Sequence, residues 1–444
     1  MWWCGRPHQE SGYRGYDLTD RVSTECPVLS LVGHQWRLCM KQMCVFSIPP
    51  DITIHPDLCS GYNRVTVNSS QTIFYSGAMS FKKESKPNLS HSQVTEITAR
   101  LFGLTVSTVR PLPSYADQNS HVVCVDAGEF VLKVMNSSDS EDMKLLELQT
   151  HSMNFLQQNG LPAQTALCTI TGETMSLEEI DCGYGLQKYL VRLLTYQPGT
   201  PVAKITCTPQ LLYELGKMAA KLDLVLLRME HEDLSVLQRE NFIWSLSCVP
   251  LIEDYLSVMD GDPLQLIVRE VIDQYRNQVV PKLPFFHKSI NHGDLNDLNI
   301  LVEPDGPSCY RISGILDFGD MSSGYFVFEL AIMIMYMMIE SANPLEVGGP
   351  VIAGFESVVP LNTDERNALY TLVLSRFCQS LVYARSAVLQ QPENEEYLMI
   401  TAKTGNRLLQ LLWEKGKEEV EKVWFESAAN FSMLTDNSNL IPKP

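Results

Sequence analysis

The chain is 444 residues long and 45% hydrophobic, enough to fill two lobes plus a tail, and its net charge of −18 disfavours nucleic-acid backbones as partners while suiting a cationic small molecule. No stretch reaches the ~20 consecutive apolar residues that span a bilayer, and the N-terminus lacks the basic-then-apolar pattern of a secretory signal. None of the twelve cysteines forms a CxxC pair, and the seven within 79–444 lie at least fourteen residues apart, as expected of reduced thiols in a cytosolic protein.

Residues 1–78 differ from the rest of the chain. They hold six basic and six acidic residues, five cysteines and three tryptophans, without a sustained helical or strand period. The pattern predicts a disordered or non-native extension, with translation normally starting at Met79, although a strand-forming stretch such as Arg64–Val67 could add locally to the fold. The alternative is a weakly ordered, isoform-specific segment.

From 79 to 194 the sequence reads as a small β-rich lobe. Val106–Leu112, His121–Val125 and Glu129–Val134 have strand patterns, separated by the loop Ser114–Ser120 and the turn Asp126-Ala127-Gly128. Lys133 lies in the apolar run Phe130-Val131-Leu132-Lys133-Val134, where a lysine needs a reason: it reads as a phosphate-binding lysine paired with an acid on the next helix, or as an edge-strand lysine facing water. A helix over 141–158 comes next, with Leu145, Leu148 and Phe155 on one face and Glu147 placed to supply that acid. Tyr189–Leu194 is a further strand, running into Thr195-Tyr196-Gln197-Pro198-Gly199, a candidate hinge.

Residues 195–444 read as a larger helical lobe. Gln210–Leu227, Asp364–Leu389 and Glu395–Trp413 carry apolar residues at helical spacing, the last two expected near the active site or against each other. Leu330–Ile339 is apolar throughout, about half the length of a bilayer span, and reads as a core helix. About 65 residues, from Val225 to Ile290, separate the first helix from the most informative motif.

That motif is His292-Gly293-Asp294-Leu295-Asn296-Asp297-Leu298-Asn299, followed eighteen positions after Asn299 by Asp317-Phe318-Gly319. The β-prone runs Asn299–Val302 and Arg311–Leu316, joined by the turn Glu303-Pro304-Asp305-Gly306-Pro307, predict a hairpin that brings Asn299 and Asp317 to one end of two adjacent strands. Phosphoryl transfer from a nucleotide needs one carboxylate to receive the proton of the attacking hydroxyl and further oxygen ligands for the magnesium ions that neutralise the phosphates. Asp294 fits the first role; Asn299 and Asp317 fit the second. Lys133 and Glu147 then read as the phosphate-binding pair, Asn119 as a donor contact in the loop over the phosphates, Thr195 as a hinge contact to the purine, and His292 as a support of the catalytic loop.

The pattern resembles the aminoglycoside phosphotransferase and choline kinase superfamily of small-molecule kinases, whose usual form is HGDxxxxN followed by a hydrophobic-Asp motif. A protein kinase is disfavoured: Gly293 replaces the Arg that docks a phosphorylated activation loop, no Ala-Pro-Glu follows Asp317, and G-x-G-x-x-G is missing. The resemblance, strongest from about Ser80 to about Ser427, implies an α+β, two-lobed protein-kinase-like fold. It also implies a hydroxylated amino acid as acceptor, GTP (or ATP) as donor, and Mg2+. It further assigns the 225–290 insertion to the acceptor pocket, with Glu230, Glu232, Asp233, Glu240, Glu253, Asp254, Asp260, Asp262, Asp297 and Asp320 as candidates to hold substrate ammonium groups. Where relatives carry GDPxxDLA, this chain has Gly324–Ala331, so Glu329 reads either as a replacement support for the catalytic loop or as a favourable acid at a helix N-terminus. A non-catalytic nucleotide-binding protein remains the reading of another class.

Overall fold

The computed structural model describes residues 86–438 apart from Tyr115, Pro307 and Ser308, together with three earlier strands. The chain divides into two compact units, Met1–Ser80 and Phe81–Pro444. In the first, β1 (Thr53–His55), β2 (Tyr62–Val67) and β3 (Gln71–Ser76) form an antiparallel sheet in that order. Arg64–Val67 falls within β2, and the rest of the expectation for residues 1–78 lies outside the described residues.

The second unit opens with helix α1 (His91–Phe102), capped by Ser90 in a reciprocal box with Gln93. An antiparallel sheet comes after it, with β4 (Val106–Leu112), β5 (Gln118–Cys124), β6 (Gly128–Val134) and β9 (Leu186–Thr195) as neighbours. The short β7 (Ala166–Leu167) and β8 (Ser176–Asp181) share the far edge of β9. Strand alternation decides what each face carries. Val122, Leu132, Val134, Tyr189, Val191 and Leu193 pack on Val94, Ile97 and Phe102 of α1. The intervening residues point the other way, and the register aligns Asn119 with Lys133 and Lys133 with Arg192 across three strands. Helix α2 (Met143–Gln158), capped by Asp142, lies between β6 and β7 in sequence.

After β10 (Thr200–Pro201) the chain becomes mainly helical, through α3 (Pro209–Leu226) and α4 (Leu264–Gln274). The next three strands are β11 (Lys288–Asn291), β12 (Ile300–Pro304) and β13 (Tyr310–Ile315). After β14 (Ser322–Tyr325) come α5 (Phe326–Ile339), α6 (Gly348–Glu356), α7 (Thr363–Gln390), α8 (Ala402–Lys415) and α9 (Lys417–Ser438). Every residue of α5 is buried, so the apolar run is the centre of the large lobe. Helices α3 and α6 cross through glycines: a Cβ on Gly354 would stand 1.9 Å from the Tyr213 carbonyl, and one on Gly216 2.0 Å from that of Val351. The helix expected over Glu395–Trp413 is broken: a short turn over Glu395–Leu398 precedes α8, which packs Gly405 on Leu381 and Phe377 of α7. No helix among the described residues is long and apolar enough to cross a membrane.

Candidate active site

The hairpin forms as its sequence predicts: Ile300 pairs with Ile315, and the Leu316 amide donates to the Asn299 carbonyl at 2.9 Å. Asp317 comes directly after, in the left-handed region with φ 57°, a conformation a non-glycine residue adopts only where its surroundings impose it. Its side chain is about half exposed in the cleft and pairs with Lys133 Nζ at 3.1 Å. Lys133 is also held by Asp117 at 3.2 Å, and Asp117 in turn accepts from the Asn136 amide at 3.0 Å, tying the start of β5 to the end of β6. Burial alone would lower the Lys133 pKa, but Asp317 and Asp117 more than reverse this and keep it charged; the same lysine holds Asp317 below the usual carboxylate range.

Glu147, expected to orient Lys133, does not reach it. The phase of α2 buries Leu145, Leu148, Gln149, Thr150, Ser152 and Leu156 and leaves Glu147 exposed. The groups α2 sends inward are Gln149, whose Nε2 donates to the Gly319 carbonyl at 3.1 Å, and Thr150, whose Oγ1 accepts from Arg192 at 3.0 Å. Asn119 lies not in a loop but in β5, opposite Lys133, and its buried Oδ1 has no hydrogen-bond partner among the described residues. Thr195 ends β9 as expected, yet its amide donates to Thr165 and is not left for a purine, while its carbonyl already accepts from Gln164.

The 292–299 loop is braced from behind. His292 is fully buried, donates from Nε2 to the Leu316 carbonyl at 3.0 Å and accepts the Asp294 amide at Nδ1, and burial depresses its pKa to about 4, so the ring is neutral. Gly293 has φ 83°, and a Cβ there would stand 2.6 Å from the Asp320 carbonyl. Its amide donates to both carboxylate oxygens of Glu329, at 3.3 and 3.1 Å. Glu329 lies in the first turn of α5, so the loop-support and helix-terminus readings describe one arrangement. Burial raises its pKa to about 7 and also raises that of neighbouring Asp223, which accepts from Asn291 at 2.7 Å.

Asp294 sits at the mouth of this scaffold with its side chain 21% exposed. Its Oδ2 accepts from Asn296 and from Asn299, each at 2.9 Å, and its Oδ1 from Arg376 at 3.1 Å. Burial pushes its pKa up, and Arg376 opposes the shift. Asn299 Nδ2 is committed to Asp294, which leaves its Oδ1, like Asp317 Oδ2, without a protein partner among the described residues. Two hard oxygen donors facing a cleft suit a magnesium ion that completes its shell with phosphate and water. Arg239 closes the far side: its Nη1 donates to the Gly319 and Met321 carbonyls at 3.0 and 3.2 Å, on either side of Asp320.

The sequence reading missed Asp117, Arg192, Arg239 and Arg376. Arg192 carried the same signal as Lys133, a charged residue inside the apolar run Tyr189–Leu194; Arg376 carried a weaker one, a cation among apolar residues of a long helix. Asp297 is buried, and burial together with Glu340 raises its pKa to about 7. In the 225–290 insertion, Glu230, Glu232, Glu240, Glu253, Asp254 and Asp260 are exposed, and Asp233 and Asp262 pair with Lys144 and Arg385. A groove of about 720 Å³ opens between α2, α3 and the β12–β13 turn, at the opposite end of the hairpin from Asn299 and Asp317, and plays no part in this site.

Residues 108–349 match the Phosphotransferase enzyme family, APH. This chain belongs to that family. It is 68% identical over 352 residues to the hydroxylysine kinase of Danio rerio, covering 79% of this chain and 99% of the relative. The hydroxylysine kinase of Bos taurus is 50% identical, over 78% of this chain and 95% of its own. Among solved structures, amicoumacin kinase hAmiN aligns with a TM-score of 0.53 at 13% identity, over 72% of this chain and 94% of that one. A choline kinase from Cryptosporidium parvum aligns with a TM-score of 0.51 at 12% identity, over 77% and 99%. The fold is therefore the two-lobed kinase-like α+β fold expected, and the protein is a phosphotransferase acting on an alcohol group.

Proposed function

We propose that this enzyme transfers the terminal phosphoryl group of a purine nucleotide, GTP by preference, to the side-chain hydroxyl of 5-hydroxylysine, giving 5-phosphohydroxylysine in the cytosol. The observation that carries the reading is the 68% identity to the Danio rerio hydroxylysine kinase over nearly that protein's whole length. The acidic chain suits a substrate with two ammonium groups, and the free thiols of all seven cysteines among the described residues suit a reducing compartment.

In this reading Asp294 places the acceptor hydroxyl and takes its proton. Lys133, handed to the cleft by Asp117 and Asp317, neutralises donor phosphates, and the Asn119–Lys133–Arg192 row forms the polar face beneath them. Asn299 Oδ1 and Asp317 would hold magnesium, which supplies charge neutralisation on the transferring group. His292 and Glu329 keep the loop in register through their hydrogen bonds to the Leu316 carbonyl and the Gly293 amide.

The test crosses ATP and GTP against 5-hydroxylysine, lysine, choline, ethanolamine and an aminoglycoside in a coupled assay. Transfer to 5-hydroxylysine, faster with GTP, is expected, with lysine a weak, unphosphorylated competitor because it lacks only the accepting hydroxyl. Rapid transfer to choline with none to 5-hydroxylysine overturns the reading in favour of another amino-alcohol kinase.

A further inference from the structure

Arg376 lies in the middle of α7, 1% exposed on its side chain, beside Leu372, Val373 and Phe377. Taking a guanidinium out of water is unfavourable unless its charge finds a partner, so packing alone does not account for it; Nε has no partner among the described residues, and the two terminal nitrogens make all the contacts. Its Nη2 donates to Asp294 Oδ1 at 3.1 Å and to the Tyr336 hydroxyl at 3.3 Å, and its Nη1 to the Trp244 carbonyl at 2.8 Å. Gln379, one turn along α7, donates to the carbonyls of Ile243 and Ser245 at 2.9 and 2.8 Å. One helix thus grips the backbone of 243–245 and the catalytic carboxylate together. The same segment, through Arg239, brackets Asp320 from the other side.

The hydrogen bonds on Asp294 can be counted. Each carboxylate oxygen offers about two acceptor directions. Oδ2 uses both, for Asn296 and Asn299, and Oδ1 uses one, for Arg376. The open direction is therefore on the oxygen that Arg376 holds.

We propose that Arg376 is the positioning residue of this active site: it fixes Asp294 Oδ1 so that its open lone pair meets the acceptor hydroxyl, and through Trp244 it sets that oxygen against the 239–245 wall of the acceptor side. The inference rests on Asp294 being the group that receives the proton. Arg376 makes no hydrogen bond to Lys133, Asn299 or Asp317, so its loss acts on turnover and leaves donor binding in place.

The experiment compares the full chain with Arg376→Lys, Arg376→Met, Asp294→Asn and the double variant Asp294→Asn/Arg376→Lys. Arg376→Lys should lower kcat at least ~30-fold with donor affinity within ~3-fold, and should cost less than ~3-fold when added to Asp294→Asn, because groups that act as one unit are not additive. A kcat within ~3-fold of the parent, or the same loss in both backgrounds, overturns the proposal. Should both Arg376 variants fail to fold, Tyr336→Phe frees Nη2 of one partner: kcat should change ~3-fold or more, only where Asp294 is present, and no change overturns the proposal. Full activity of Asp294→Asn alone would instead refute the assignment of Asp294, whatever the Arg376 variants do.

Discussion

Asp294→Asn should destabilise the fold, because the buried Arg376 loses its ion-pair partner. The donors facing Oδ2 cannot turn away. Asn296 is locked because its Oδ1 accepts the amides of Leu298 and Asn299 at 2.9 and 2.8 Å, and Asn299 because its Nδ2 also donates to the Asp294 carbonyl. An asparagine at 294 must therefore keep its oxygen towards them and present its NH2 to Arg376, donor against donor, leaving a buried guanidinium without its counter-charge. Breaking a fully buried pair costs about 3–5 kcal/mol. Because the Asp294 side chain is 21% exposed, and Trp244 and Tyr336 still hold Arg376, a loss of about 2–3 kcal/mol is expected. At roughly 2 °C per kcal/mol for a unit of this size, the melting temperature should fall by about 4–6 °C. Calorimetry without nucleotide measures it, and Asp294→Asn/Arg376→Met should regain most of the loss because the orphaned charge is gone. An unchanged or raised melting temperature for Asp294→Asn would refute the charge-pair reasoning. Turnover should fall at least ~100-fold.

Asp117→Asn should weaken nucleotide binding several-fold by releasing Lys133, whereas Glu147→Gln, on the exposed face of α2, should leave it unchanged; the reverse order in a nucleotide titration would reinstate the helix acid. Glu329→Gln should flatten the dependence of stability on pH. A carboxyl raised to about 7 in the fold contributes stability that is present below its unfolded pKa near 4.3 and is lost as pH rises through 7, with a slope of at most about 1.4 kcal/mol per pH unit. Denaturant titrations at pH 5 and pH 8 should therefore differ less for the variant than for the parent, and an equal difference would remove Glu329 from the titrating pair.

The candidate constellation was legible in the sequence because it is local. Asp294 and Asn299 lie five residues apart on one loop, Asp317 stands at the end of a hairpin with an obvious turn, and a lysine in an apolar strand announces a buried anion partner. The β-rich and helical halves were legible too, since strand and helix periods differ. Which acid meets Lys133 was not. That depends on the phase of α2 and on where Asp117, just before β5, stands relative to Lys133, and both depend on packing between elements rather than on residue spacing. Arg376 is more remote still, 82 residues from Asp294, and no local pattern relates them. The sequence by itself determined which side chains are the candidates for the chemistry, because covalent spacing along one loop and one hairpin sets their geometry. Only the tertiary structure decided which groups aim and neutralise them, because a buried charge takes its partner from whatever the packed helices bring within reach.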